Sequence, residues 1–440
     1  MTGQTIETDY LVIGAGAMGL AFADTLLDES RDCHITLVDR HAKPGGHWND
    51  AYPFVTLHQP AAFYGVKSRR LGSGGSDLSS RSEILSYFEQ AMQRLLASSR
   101  VRFLTMCEYR GDGEIVSVVD ASCTYKVNVR RRLVDASYMN VEVPSTHGPR
   151  YAVDDDVTLI PINGLARLQR PWDKYVVIGA GKTGIDAVLF LLDKGVAAAR
   201  IQWIVPNDMW LWNRALVQAG MVEIEFVRFL KAMTNAASQD DMFLTLERQG
   251  SLMRLDPEHM PRKWRCATVS RPEYEQLCTV RDVVRLGRVQ RITGDAIELE
   301  HGRVSSNAHS LYIDCSANGL APREPRPLFA DGQITLQSVF MCQQVFSASV
   351  IAHLEAMRLS DTQRNAMWQV VPHPEWVADF VPGMLGSLEN ILGAQRHMPL
   401  WLRRCRLNAV AHTALPRYLL AAFTLWRGLP RARIAMAAMR

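Results

Sequence analysis

The sequence predicts an α/β protein made of two doubly wound units, the second inserted within the first, followed by a helical C-terminal extension. Three observations carry that prediction. An apolar strand runs into a glycine-rich turn at "VIGAGAMGLA", residues 12–21, and the same pattern returns at "VIGAGKTGID", residues 177–186. The first loop lies near the N-terminus, the second begins 165 residues later, and two similar strands, "LVDASYMN" at 133–140 and "LYIDCSANGL" at 311–320, mark where the chain leaves and re-enters the first unit. The predicted segments are 1–165 for the first unit, 166–308 for the insert, 309–390 for the return and 391–440 for the extension.

Each element has a local reason. "DYLVIGAG" is a short run of β-formers, and the segment after Gly14, Gly16 and Gly19 carries helical apolar spacing at Leu20, Ala23, Leu26 and Leu27. A second apolar strand, "HITLVD", ends on Asp39, twenty residues past Gly19. At that distance a carboxylate meets a ribose hydroxyl in dinucleotide-binding βαβ units, so the unit is Rossmann-like. Gly14 permits the tight turn, Gly16 lets backbone approach a pyrophosphate, and Gly19 lets the helix pack on its strand. Ala17 and Met18 open the helix whose N–H groups face the phosphates. Arg40 follows the acid.

The second unit repeats this logic with Gly179, Gly181, Lys182, Thr183 and Gly184, then the strand "IQWIVP". That strand reaches Pro206 and Asn207 without a carboxylate, so a 2′-phosphate is not repelled and NADPH is permitted. Lys182 and Arg214 are the candidates to bind the phosphate, or else they solvate the surface. Two dinucleotides in one chain imply electron transfer between them, the natural pair being a resident flavin and an exchanging nicotinamide. "FVRFLKAM" and "DDMFLTLERQGSLMRL" read as helices within the insert, and the segments between 281 and 314 as strands.

Bulk properties bound the rest. The chain has 440 residues, 48% hydrophobic and 21% charged, ordinary for a globular protein with two or three domains. The polar N-terminal segment carries no secretory pattern, and no apolar run reaches the eighteen or so residues a spanning helix needs. Eight cysteines, none in a CxxC pair, fit a reducing cytoplasm. All nine arginines after Glu389 stand without a single acid, which turns the net +4 of the whole chain into −5 for residues 1–389. That basic, aromatic tail reads either as helices packed on an acidic body or as a peripheral membrane contact through 396–440. No nucleic-acid motif, metal spacing or GxSxG elbow is present, so neither nucleic acid nor metal is expected. Residues 44–65 hold no cysteine pair, which argues against disulfide reduction.

With "PGGHW" at 44–48, the two loops, Asp186 and the "IDCSANG" strand, the chain resembles the flavin-containing and Baeyer-Villiger monooxygenases over most of residues 8–360. The resemblance implies an FAD site with Gly46, His47 and Trp48 beside the flavin, and contributions from Asp314, Asn318 and Gly319. A late helix capped by Ser347 would point its N-terminus at the flavin ring. It also implies NADPH in the insert, with NADH allowed, and an oxygen adduct of the flavin that oxidises a hydrophobic or aromatic small molecule with molecular oxygen. Where those relatives carry an Asn or Asp beside the flavin, this chain has His58, followed by Gln59; a histidine there could donate a hydrogen bond or shuttle a proton. The FxGxxxH linker pattern is absent, and Pro206 stands where an arginine often grips the 2′-phosphate. Two further readings stay open: a reductase passing electrons to a quinone or other small acceptor, and a redox sensor without turnover.

Overall fold

The computed structural model describes residues 4–75, 78–307, 309–317, 319–320 and 322–438. The first sheet runs in the order 329–330, 333–335, 124–135, 4–13, 35–38, 101–104, with the hairpin 107–117 joined to 124–135. Its four inner pairings from 333–335 to 101–104 are parallel. Strand Ile35–Val38 is buried along its whole length, as a strand covered on both faces must be. Helix Ala17–Glu29 fills one side, held against helix Gln344–Ala356 by apolar packing and a Thr25–Ser349 hydroxyl hydrogen bond of 3.0 Å. Strand Gln333–Thr335 and helix Gln344–Ala356 lie after the insert in sequence, so the first unit is completed by returning chain.

The second sheet is all parallel, in the order 282–284, 201–204, 174–178, 310–314, 158–161. It therefore reaches past residues 166–308 at both ends, because Thr158–Pro161 and Ser310–Asp314 hydrogen-bond into it. The two look-alike strands take equivalent places: Asp135 is paired with Ile13 in one sheet and Asp314 with Ile178 in the other. Each aspartate then accepts hydrogen bonds from the backbone N–H and hydroxyl of the serine two residues on, Ser137 or Ser316. The crossings themselves form a ribbon, Val141 opposite Leu320 and Glu142 opposite Gly319.

In the C-terminal extension, helix Leu415–Ala438 lies on helices Val222–Asn235 and Val377–Ala394. Ala421, Leu425, Leu429 and Ala432 form its buried stripe at helical spacing. A Cβ at Gly428 would meet the Leu230 side chain at 2.4 Å, so glycine sets the closeness of that packing. Arg417 pairs with Glu223 at 2.6 Å and Arg433 with Glu389 at 2.7 Å. The outward face nevertheless exposes Leu415, Leu419, Leu420, Phe423, Trp426 and Ile434.

Candidate functional site

Both glycine loops have the geometry of anion sites. Gly14 and Gly179 take left-handed backbone, φ +101° and +112°, which favours glycine. Helix Ala17–Glu29 starts from Gly16 and helix Lys182–Asp193 from Gly181, and no side chain caps either start. Neither first turn carries an acid. The first-turn N–H groups are thus left for a ligand, and negative charge is favoured there. A Cβ at Gly19 would lie 2.0 Å from the Gly14 carbonyl oxygen, and one at Gly184 1.9 Å from that of Gly179. Ala17 and Met18 form the first turn of the first helix, with Thr183 in the corresponding turn of the second.

The acid of the first unit is preorganised. Asp39 is buried, accepts the Ala15 N–H at 2.7 Å, and accepts both the N–H and the Nδ1 of His41. Burial pushes its pKa up, but the hydrogen bonds from His41 and Ala15 bring it below the ordinary value. His41 bridges Asp39 and Asp50, and the Asp39 hydrogen bond raises the histidine pKa. Arg40 points to solvent.

The "GGHW" turn packs straight onto the first loop. Gly46 has φ +54°, and a Cβ there would sit 3.0 Å from the Gly16 Cα. Two bare backbones this close make a cradle that a side chain on either would fill. Trp48 donates its indole N–H to Tyr64 at 2.8 Å, and Arg81 holds the Trp48 and Asn49 carbonyls at 2.9 and 2.7 Å. Burial lowers the His47 pKa to about 4. Beyond the turn, Tyr52 donates to Asp186 of the second unit at 2.5 Å, and Phe54 stacks on Phe190 at 4.0 Å. The segment between the loops thereby ties one unit to the other.

A small cavity lies where the units meet. His58, Gln59, Phe63, Phe340, Met341 and Gln343 line it from the first unit, Trp212, Val217, Val222, Phe226 and Thr268 from the insert, and Met384, Ser387 and Ala409 from the C-terminal region. His58 and Gln59 are thus brought to the mouth of both units together. Burial, then the charges of Lys182 and Arg214, push the His58 pKa down to about 3, so the ring is neutral at ordinary pH. It can donate one hydrogen bond and accept another; it does not titrate near 6.5 as a free histidine would. The Thr268 hydroxyl fixes the His58 carbonyl, and Gln343 reaches Gln59 at 3.5 Å. Among the described residues, the buried Gln343 Oε1 and Trp212 Nε1 have no hydrogen-bond partner.

Several residues stand elsewhere than the sequence predicts. Arg214 is not an exposed cation: it is buried, paired with Glu273 at 2.8 Å and bonded to the Thr268 carbonyl. The guanidinium beside the end of strand Ile201–Ile204 is Arg285, which follows the neighbouring strand and pairs with Asp208 at 2.8 Å. Nothing in the local spacing marked it. Lys182 is engaged with Asp186 one turn along its own helix. Asp314 belongs to the second sheet, beside Gly179, and not to the first. Gly319, with φ +53°, lies in the crossing ribbon, and Asn318 lies outside the described residues. Ser347 is not a cap. Helix Gln344–Ala356 starts three residues earlier, and the Ser347 hydroxyl donates back to the Gln343 carbonyl while accepting the Val339 N–H. The helix start does meet the cavity, through Gln343.

The cysteines also differ. Cys266 and Cys342, 76 residues apart, form a disulfide and line the cavity, and their sulfurs lie within 4.8 Å of a His373 ring nitrogen. Cys33, Cys107, Cys315 and Cys405 are buried thiols.

Known proteins agree with this architecture. The family described as "NAD(P)-binding Rossmann-like domain" matches residues 12–61. The uncharacterized protein Rv2000 of Mycobacterium tuberculosis is 44% identical over 431 residues, covering 94% of this chain and 80% of that protein. The uncharacterized protein Mb2023 of Mycobacterium bovis matches to the same extent. Among solved structures, the polycyclic ketone monooxygenase of Thermothelomyces thermophila superposes with a TM-score of 0.54 at 12% identity, over 97% of this chain and 89% of that one. Cyclohexanone monooxygenase from Rhodococcus sp. Phi1, bound to NADP+, gives 0.50 at 14% identity, over 83% and 86%. Among the described residues no helix is long and apolar enough to cross a membrane. The chain belongs to one family with the mycobacterial proteins Rv2000 and Mb2023, and its fold is the two-dinucleotide-unit fold of the flavin monooxygenases.

Proposed function

We propose that this chain is an FAD-dependent NAD(P)H oxidoreductase, and specifically a monooxygenase of an apolar small molecule. The observations that carry the reading are a pair of uncapped helix starts, one per unit, and an apolar cavity that both units line. The Gly16–Gly46 cradle and the buried Asp39 fit an adenine dinucleotide in the first unit. Gly179, Gly181 and Gly184 fit a second in the insert, where a Cβ at Gly181 would meet open space. When bound, a flavin and NAD(P)H supply two-electron reduction of oxygen.

The protein's own residues do the rest. The Gly16 helix start would hold the pyrophosphate, Asp39 the ribose, and Trp48 would stay locked by Tyr64 beside the ring. Gln343, at the start of helix Gln344–Ala356, offers an unpartnered carbonyl oxygen to a ring N–H. Phe63, Trp212, Phe226, Phe340 and Met384 exclude water. Neutral His58 holds an N–H against developing negative charge without becoming an imidazolium. The free Trp212 indole N–H selects an apolar substrate that carries a hydrogen-bond acceptor such as a carbonyl or thioether.

The test uses the purified yellow holoprotein, NADPH or NADH, ¹⁸O-labelled oxygen and a panel of apolar ketones and thioethers. One labelled oxygen atom enters product per NADPH consumed. His58→Ala diverts electrons to hydrogen peroxide, and since the His58 ring is neutral from about pH 5 upward, the rate shows no step near pH 6.5. Oxidation of NADPH that yields only peroxide, or that requires an added quinone, replaces this reading with the reductase one. Bound flavin with no NAD(P)H oxidation by any acceptor favours the sensor.

The tail adds a place of action. Leu419, Leu420, Phe423 and Trp426 stand out from helix Leu415–Ala438 with Arg427 and Arg431 exposed among them, an apolar stripe with a basic border that fits an anionic bilayer surface. Removing residues 396–440 is a poor probe, since Leu402, Leu407 and Ala409 belong to the core. The cleaner variant is Leu420→Ser with Phe423→Ser and Trp426→Ser. Wild type co-floats with vesicles containing phosphatidylglycerol and the triple variant binds at least about tenfold less, each buried large side chain contributing roughly 1.5–3 kcal/mol. Equal flotation of the two proteins removes the membrane contact.

A further inference from the structure

The disulfide lies between the two units. Cys266 comes from the insert, two residues before the short strand Thr268–Val269, and Cys342 from the returning chain just before helix Gln344–Ala356. The bond therefore joins the two units, and it does so in the wall of the cavity, beside His58 and Gln343. Among the described residues it is the one disulfide, and the other six cysteines are free. Both cysteines hold left-handed backbone, φ 54° and 62°. Non-glycine residues adopt it at a cost, borne where surrounding structure imposes it, and such residues gather at functional sites. His373 sets a ring nitrogen within 4.8 Å of both sulfurs, and burial, then the charge of Arg265, keeps that ring neutral, with its pKa lowered to about 4. A neutral imidazole there can accept a hydrogen bond from a thiol.

We propose that Cys266 and Cys342 form a second two-electron centre of this site, a disulfide that the bound nucleotides reduce to a dithiol. The proposal rests on the flavin reading above, which supplies the electrons. In balance, NADPH and one proton are consumed, the S–S bond breaks, two S–H bonds form and NADP+ leaves. A small-molecule disulfide restores the pair by thiol exchange, leaving as two thiols. The residue spacing that argues against disulfide reduction applies to a CxxC after the ribose acid; this pair reaches the cavity by tertiary folding from the opposite side.

The test counts thiols rather than turnover. Holoprotein, as purified in air, is denatured in excess maleimide and its intact mass is read, with a parallel sample first incubated anaerobically with NADPH. Six labels rise to eight on NADPH treatment, and two NADPH are consumed per chain. In Cys342→Ser, seven labels are found before and after, and one NADPH is consumed. Eight labels in the untreated protein overturn the proposal, and co-purifying zinc in equal amount would then assign Cys266, Cys342 and His373 to a metal. Six labels after the yellow colour has bleached also overturn it, leaving a disulfide outside the electron path. Failure to bleach at all sinks the flavin reading first and removes the electron source with it, so the two failures are told apart by colour.

Discussion

Gly184→Ala yields a protein that still carries flavin and is no longer reduced by NADPH, whereas Gly19→Ala yields one that loses the flavin. The added methyl would stand 1.9 Å from the Gly179 carbonyl oxygen in the first case and 2.0 Å from that of Gly14 in the second. Both obstacles are main chain, which no rotamer change can relieve. The helix must move off its strand, tilting away the N–H groups meant for the phosphates. Overpacking of this kind costs about 3 kcal/mol, and a similar loss at the binding step is roughly a hundredfold in affinity. Visible absorbance of the purified variants and anaerobic mixing with NADPH read the two effects separately. Normal flavin reduction in Gly184→Ala would show that the second loop does not serve the nicotinamide.

Arg406→Met lowers stability by about 3 kcal/mol, the scale of lost hydrogen bonds from a charged group. Arg406 reaches out of the C-terminal extension and donates to four carbonyls of one loop: Ala62 at 2.6 Å, Tyr64 at 2.5 Å, Val66 at 3.0 Å and Arg69 at 2.8 Å. That loop carries Phe63 into the cavity. Without the guanidinium the carbonyls lose a shared partner and the loop loosens beside the substrate, so KM rises along with the stability loss. Arg406→Lys restores little, because an ammonium cannot present a planar fork to four acceptors. Urea denaturation of wild type, Met and Lys variants checks the order; a Lys variant matching wild type would mean that charge, not fork geometry, holds the loop.

What could be read from the chain beforehand was whatever depends on near neighbours. Glycine spacing, the acid twenty residues on, the "GGHW" turn and the nesting of one unit in the other are written in short windows, where backbone sterics and hydrophobic periodicity act. Arg214 illustrates the opposite. Its place after the second strand suggested phosphate, yet Glu273 and Thr268, some sixty residues away, bury it. Arg285 stands beside the end of strand Ile201–Ile204 because two strands pair, which no window around either strand records. Ser347 reads as a cap in the sequence because a serine that bonds back to its own helix looks the same there as one that starts it. The Cys266–Cys342 pair needs the whole fold to bring it together.

The ribbon formed by Val141–Glu142 and Gly319–Leu320 has a consequence for ancestry. Because outgoing and returning chain lie side by side, the insert enters and leaves the first unit through a single doorway. Its two ends meet as in a hairpin, where a turn of two residues could in principle rejoin them. A genetic event that added, dropped or swapped the whole cassette would not re-thread the first sheet. The repetition of the glycine loop, and of the Asp-x-Ser strand end beside it, is what a copied gene segment landing at such a doorway would leave behind.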